Sequence, residues 1–341
     1  MRNMLKKSSS TRRQCSFRLM IIAAALTTSV RAQDSAFAEA GPAQIRKALF
    51  VIVDGISADV IEGTFTPNLD AIASSKGYTR STVGGEIGTA SESPTISAVG
   101  YNSLLTGTWA NKHNVYTNSI KAPNYAYWDI FRILKHARPG ASTALFSTWE
   151  DNRTRLLGDG LPEAGGHKLD YAFDGLENDE QRFPHDDSSD YVEKIDSAVV
   201  EDAARVLRTR GPELSWVYLQ HTDDIGHRFG DSPEFTRAIE LMDSKLGTLW
   251  SAVQTRQREH SEDWLVVITT DHGRDAETGK HHGKQSGRER STWIVTNSLR
   301  TNEHFESQPS IVDILPSILK HLNVEAPAAV SAEFDGVSFI E

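Results

Sequence analysis

Of the 341 residues only one is cysteine, Cys15, and it lies in the N-terminal leader. A chain cleaved beyond it holds no thiol, which excludes disulfide crosslinks and a cysteine nucleophile. Cys15 is no lipid-attachment site either, because the apolar stretch follows it. A basic excess is also missing: 36 Lys and Arg against 46 Asp and Glu leave a formal charge of −10. Binding along a phosphate backbone normally shows the opposite balance, so no nucleic-acid-binding surface is expected. One small anionic substrate stays open, since bound cations can invert a local field. The apolar stretch Leu19 to Leu26 falls short of the roughly 20 residues that span a bilayer. Internal repeats and low-complexity linkers are absent too.

What is present begins with that leader. Lys6, Lys7, Arg12 and Arg13 precede the apolar stretch, and Val30-Arg31-Ala32 and Ala36-Phe37-Ala38 fit a small-x-small cleavage pattern. This is the layout of a secretory signal peptide. Residues 1–38 are therefore read as signal peptide and flexible lead, and the protein as exported, periplasmic or secreted. No stable membrane anchor is expected after cleavage; an uncleaved anchor is the alternative. Arg12-Arg13 resembles a twin-arginine signal, but Cys15 stands where a large apolar residue is preferred.

Residues 45–341 read as a single domain. Apolar runs of strand length at Ala48–Val53, Ser215–Gln220 and Trp264–Thr269 suit central strands buried on both faces. Thr143–Ser147 and Ser291–Val295 are further strands. Helical patterns lie between them, from Thr66-Pro67, over Asp129–Ala137, Tyr191–Arg208, Pro233 to about Arg256, and Ile311–Leu322. Strands alternating with helices predict an α/β fold, a three-layer α/β/α sandwich around a mostly parallel sheet. The polar stretch 158–189 reads as a surface excursion.

The three most apolar strands share one feature: each runs into acidic residues, and two of them into histidine as well. Val53 leads to Asp54-Gly55, Gln220 to Asp223 and His227, and Thr270 to Asp271-His272-Gly273. Ligands of open α/β sheets bind beyond the carboxyl ends of the strands. Three carboxylates gathered there without cations would raise one another's pKa values. Two divalent metals resolve that conflict, and mixed His and Asp donors favour zinc over manganese or iron. Singly, each residue has a plainer reading. Asp54 could be a turn residue, Asp223 and His227 could share a helical face, and His281-His282-Gly283 could be a solvated turn. Yet 12 histidines scattered at random would seldom mark successive strand ends.

A nucleophile is sought in the stretch after Pro94-Thr95-Ile96. Pro94 reads as a first-turn residue and Gly107 as a C-terminal stop. Ser97 would then sit in the first helical turn, where free N–H groups stabilise an alkoxide and an incoming phosphoryl oxygen. Ser97 could equally be a helix cap. Thr95 competes with it, and bare chemistry does not separate the two.

These residues resemble the alkaline phosphatase superfamily, in particular its nucleotide pyrophosphatase/phosphodiesterase branch, from Asp54-Gly55 to Asp335-Gly336. In that family the nucleophile stands nine residues before the threonine of Leu-x-Thr-Gly; here Leu104 to Gly107 puts it at Ser97. The resemblance implies two metal sites, one of Asp54, Ser97, Asp271 and His272, the other of Asp223, His227 and His282. His281 is the competing neighbour of His282. The diesterase branch also implies an asparagine near the phosphoryl oxygens, matched by Asn118, 21 positions after Ser97. A neutral amide suits the single charge of a diester, whereas a monoester favours a bidentate arginine. Two departures concern the substrate: the nucleophile is serine rather than the more usual threonine, and Ala98-Val99-Gly100 replaces Phe-Pro-Asn.

The expected reaction is in-line displacement at phosphorus through a phosphoserine on Ser97, with Asn118 and the amides after Ser97 on the nonbridging oxygens. The substrate is expected to be a small phosphate ester, a nucleotide being one that the motifs allow. Phosphomonoesterase and phosphonate hydrolase are the alternatives on the same scaffold, and a non-catalytic metal-containing module is the rival from another class. Sulfatase is disfavoured, as the Pro-Ser-Arg pattern is missing. His113 and Asp243 are read as structural, Trp149 and Tyr101 as packing residues with stacking on a nucleobase as the alternative, and Asn152-Arg153-Thr154 as a glycosylation acceptor only in a eukaryote.

Overall fold

The computed structural model describes residues 44–74 and 76–341, so the leader read over residues 1–38 lies outside the described residues. Seven strands form one sheet: β1 (Ile45–Val53), β2 (Tyr78–Thr82), β3 (Thr143–Ser147), β4 (Tyr171–Phe173), β5 (Leu214–Leu219), β6 (Glu262–Thr269) and β7 (Ser291–Thr296). Their order is β2-β7-β6-β1-β5-β3-β4. Pairings are parallel except those of β7, which runs against both β6 and β2.

Side chains alternate between two apolar layers, as the pleat requires. Phe50, Ile52, Trp216 and Val267 face one layer. It is closed by α3 (Ser97–Thr106), α5 (Ile130–Ala137) and α10 (Ile314–Leu322), with α4 (Ala110–His113), α9 (Glu303–Glu306) and α11 (Ala328–Ser331) as short pieces nearby in sequence. Val51, Val53, Val217 and Ile268 face the other. That layer holds α1 (Ala58–Gly63), α2 (Pro67–Ala73), α6 (Asp190–Arg210), α7 (His221–Phe229) and α8 (Pro233–His260). Burying each such side chain contributes about 1.5–3 kcal/mol, and burial on both faces is why the central strands read as unbroken apolar runs. Among the described residues no helix is long and apolar enough to cross a membrane.

The register explains the site. Val53 pairs with Leu219 on one side, and Ile52 with Thr269 on the other. Strands β1, β5 and β6 thus end level with one another, and Asp54, α7 and Asp271 emerge side by side.

Several expectations are corrected. Strands β2 and β4 were not foreseen, because polar edge strands lack an apolar run. The stretch 158–189 is not merely a surface excursion: it supplies β4 and buries Leu176, Phe183 and Lys168. Pro94 does not open α3, which starts at Ser97 after an extended Ile96. Asn152 is fully buried and donates to Ser147 Oγ at 3.0 Å, so the folded chain offers no acceptor there. Asp243 caps α2, accepting from the amides of Asn68 and Leu69 at 3.1 and 2.8 Å.

Candidate metal centre and nucleophile

Asp54 is 2% exposed at the end of β1, and its two oxygens differ. Oδ2 accepts from the hydroxyls of Tyr218, at 2.7 Å, and Tyr101. Oδ1 is buried without a partner. Asp271 repeats the pattern: Oδ1 accepts from the Gly55 amide at 3.1 Å, while Oδ2 has none. Both unpartnered oxygens lie 3.3 Å from His272 Nε2. His272 Nδ1 contacts the Gly273 carbonyl at 3.0 Å, which assigns the proton to Nδ1 and leaves the Nε2 lone pair directed inward in the neutral ring. Two buried carboxylate oxygens without hydrogen-bond partners, both facing one imidazole nitrogen, are costly. A cation fits them, and their ligand atoms lie within 4.8 Å of one another.

Without a cation, the cluster holds a proton. Burial alone would depress His272, but Asp271 and Asp54 lift it to about 9. Burial, then the charge of Asp54, pushes the Asp271 carboxyl well above its usual range.

A second cluster adjoins the first. One turn of α7 brings His227 Nε2 to 3.3 Å from Asp223 Oδ2. His282 Nε2 lies 3.0 Å from His227 Nε2 and 3.9 Å from Asp223 Oδ1. Its Nδ1 donates to the Thr95 carbonyl at 2.8 Å. Two imidazole nitrogens face to face cannot both carry protons; burial and then the charge of His272 hold His282 down to about 4. The rings of His282 and His272 stack at 3.7 Å. His281 is exposed and outside both groups.

The second cluster contains a cation that sequence reasoning missed. Arg274 is fully buried and donates to the carbonyls of Gly55 at 2.9 Å, Lys280 at 3.1 Å and Asp223 at 2.7 Å, and to the Asp223 carboxylate. Burial alone would raise Asp223, but Arg274 first and His227 next hold it well below the carboxylate range. Gly226 makes room: a Cβ there would stand 2.3 Å from the guanidinium. A glycine seven residues past the end of β5, together with a basic residue directly after Asp271-His272-Gly273, was the available signal.

Ser97 occupies the first position of α3, which has no capping side chain at Ile96. Its Oγ lies 3.3 Å from His272 Nε2 and it is 6% exposed. Gly100 lets the helix approach, since a Cβ there would meet the Asp271 carbonyl at 2.6 Å. Thr95 is otherwise engaged, donating to Glu289 at 2.6 Å and accepting from the amides of Gly283 and Gln285. These contacts hold residues 94–96 extended, and they explain the late helix start. Asn118 is placed beside Ser97 differently from expectation. Its Oδ1 accepts from the Ala98 amide at 3.0 Å, so that amide is engaged and the Asn118 NH2 is the donor left over.

A cavity of about 430 Å³ opens over Ser97, bounded by Asn118, Trp149, Glu177, Tyr191 and Gln220, and among the described residues no lysine or arginine lines it. Trp149 therefore borders this space, while Tyr101 supports Asp54, and neither is only a packing residue.

Comparison with known proteins follows the same lines. The family described as type I phosphodiesterase / nucleotide pyrophosphatase matches residues 48–335. A human protein, GPI ethanolamine phosphate transferase 2, catalytic subunit, is 30% identical over 144 residues, which make up 42% of this chain and 14% of that protein. The chain thus spans a small part of that relative. Human ectonucleotide pyrophosphatase / phosphodiesterase 5 superposes with a TM-score of 0.57 at 14% identity, covering 83% of this chain and 96% of that one. A putative sulfatase from Bacteroides thetaiotaomicron gives 0.60 at 13%, covering 86% and 74%. The phosphonate monoester hydrolase of Agrobacterium radiobacter gives 0.56 at 14%, covering 86% and 76%. At such identities the likeness is one of fold, the alkaline-phosphatase-like sandwich.

Proposed function

The chain belongs to the type I phosphodiesterase / nucleotide pyrophosphatase family, and from that premise we propose that it is an exported two-metal phosphodiesterase with Ser97 as nucleophile. The observation that carries the reading is Ser97 Oγ at 3.3 Å from His272 Nε2, beside two buried carboxylate oxygens without partners. A hydroxyl so placed, at an uncapped helix N-terminus, is suited to attack rather than to packing.

Asp54, Asp271 and His272, with Ser97, would hold one ion, and Asp223, His227 and His282 the other. Bound there, divalent ions, zinc by the mixed donor set, supply positive charge that favours the serine alkoxide and the leaving oxygen. Ser97 Oγ forms a bond to phosphorus as the ester bond to the leaving alcohol breaks, and water later cleaves the phosphoserine. The Asn118 NH2 donates to a nonbridging oxygen, and its orientation is held by the Ala98 amide on Oδ1. Tyr101 and Tyr218 orient Asp54 through Oδ2, leaving Oδ1 free. Among the described residues no lysine or arginine lines the cavity, which favours a singly charged diester over a dianionic monoester.

Ser97→Ala is expected to abolish turnover of bis-p-nitrophenyl phosphate while metal analysis still finds two ions per chain. Undiminished turnover discards the nucleophile. The phosphomonoesterase alternative predicts faster turnover of mono-p-nitrophenyl phosphate, and the phosphonate hydrolase alternative faster turnover of a phosphonate monoester. Export is checked by the N-terminus of the protein recovered outside the cytoplasm, expected just after Ala32 or Ala38.

A further inference from the structure

Glu289 is a carboxylate only 1% exposed, and displacement at phosphorus makes no direct use of it. It stands in the turn before β7, between two arginines that are turned to other partners. Arg288 meets Asp59 and Asp231, and Arg290 donates to the Gly85 carbonyl. Glu289 is served by hydrogen bonds instead. Its Oε2 accepts from the Thr95 hydroxyl at 2.6 Å and from the amides of Lys284 and Gln285 at 2.7 and 2.9 Å. Oε1 accepts from Ser286 Oγ at 3.0 Å. Burial alone would raise its pKa, but the Thr95 hydroxyl first and the Lys284 amide next hold it below the usual range. Four donors converging on one buried group are suited by the anion.

These partners belong to two functional segments. Lys284, Gln285 and Ser286 come just after His282, and Thr95 stands two residues before Ser97. Thr95 ties the segments together. Its carbonyl accepts from His282 Nδ1 at 2.8 Å, and its hydroxyl from the Gly283 amide at 3.0 Å. A proton fixed on Nδ1 leaves the lone pair on Nε2, which faces His227 at 3.0 Å and Asp223 at 3.9 Å. The loop also needs restraint, because Gln285 has φ +61°. A side chain in the left-handed region persists only where its surroundings hold it.

We propose that Glu289 is a positioning residue: through Thr95 it sets the Ser97 segment against the second ligand cluster and keeps the His282 lone pair aimed into that cluster. The inference rests on the reading of Ser97 as nucleophile and of Asp223, His227 and His282 as an ion site. Glu289 reaches the first cluster only through its main chain, whose carbonyl accepts from the Gly273 amide at 2.7 Å. Changing the side chain leaves that contact in place, so the first site serves as an internal control.

Zinc titration of the metal-stripped protein against a chelating indicator reads the two sites, and Asp223→Asn and Asp271→Asn assign them. Glu289→Gln turns an NH2 toward the converging donors. It is expected to weaken the second site about tenfold, the scale for an outer partner of a metal ligand, and to spare the first. Thr95→Val removes the hydroxyl at constant shape and is expected to give the same selective loss, while Thr95→Ser retains affinity. The double variant Thr95→Val, Glu289→Gln should lose no more than the larger single loss. In turnover of bis-p-nitrophenyl phosphate at saturating zinc, kcat is expected to fall while KM holds, since neither residue lines the cavity.

Equal weakening of both sites, or a lower melting temperature with both affinities intact, reduces Glu289 to loop support and overturns the proposal. Losses that multiply in the double variant overturn the route through Thr95. Should Glu289→Gln fail to fold, Thr95→Val decides alone, and an undiminished second site in it overturns the proposal. Failure of Ser97→Ala to stop hydrolysis would sink the nucleophile and leave these titrations standing, so the two readings fail separately.

Discussion

The two ligand clusters touch, yet they are built from different materials. Asp54, Asp271 and His272 come from the ends of β1 and β6, held level by the sheet, with Asp54 2% and His272 0% exposed. Asp223 and His227 come from a helix and His282 from a loop, and the His227 side chain is 44% exposed. The first cluster balances its carboxylates with a proton on His272. The second uses a fixed cation, Arg274. A proton leaves when a metal arrives, whereas a guanidinium stays and repels it. The first site is therefore expected to bind metal the more tightly, and the second to lose it first to a chelator.

Breaking the first cluster should have the largest effect. Asp271→Asn removes a charge that no neighbour replaces and leaves an amide against His272. Turnover of bis-p-nitrophenyl phosphate is expected to fall by roughly 1000-fold or more, as for loss of a group acting directly on the transition state. Metal analysis should show one ion lost per chain. If Asp223→Asn proves more damaging than Asp271→Asn, the ranking of the two sites is reversed.

Arg274→Met sharpens the contrast from the other side. In metal-free protein it leaves Asp223 buried without its guanidinium, a loss of about 3–5 kcal/mol. In return the second site should bind its ion more tightly, since the resident charge is gone. Metal-free protein should melt earlier and the loaded protein recover most of the difference. Weaker metal binding in the variant would mean that Arg274 orients Asp223 more than it opposes the ion.

How much of this could be read beforehand follows from where each residue stands. Strands β1, β5 and β6 were legible because burial on both faces demands unbroken apolar runs, and the acidic and histidine residues just after them stand out by position. Strands β2 and β4 were not, since Tyr78–Thr82 and Tyr171–Phe173 are edge segments with exposed polar faces. Arg274 was hidden because its partner Asp223 lies 51 positions away and no spacing rule joins them. Tyr218 was hidden inside an apolar run, where its hydroxyl looks incidental. The contact between Asn118 and the Ala98 amide needed the fold of residues 107–118, which periodicity does not describe.

The acidity of the metal-free protein is a gentler probe. His272 has its folded pKa raised from 6.5 to about 9. Its contribution to stability is therefore fully present below about pH 6.5 and lost as pH rises through about 9. On the order of 3 kcal/mol should disappear across that window in chelated protein. With metal on Nε2 instead of a proton, the slope should flatten. A pH-independent melting temperature in the chelated protein would show that the proton is not what balances Asp54 and Asp271.

The smallest effect is expected where support is duplicated. Tyr218→Phe removes one of two hydroxyls donating to Asp54 Oδ2, and Tyr101, 2.9 Å from Tyr218 at the oxygens, keeps the other. A neutral hydrogen bond of this kind contributes about 1 kcal/mol, while losing an outer partner of a metal ligand typically costs 10- to 100-fold in affinity or activity. Duplication argues for about tenfold, the lower end, in metal affinity at the first site and little change at the second. Since Arg274, not a tyrosine, holds Asp223, the second site offers an internal control on the same chain. Equal loss at both sites would mean that Tyr218 supports the sheet ends as a whole rather than Asp54 in particular.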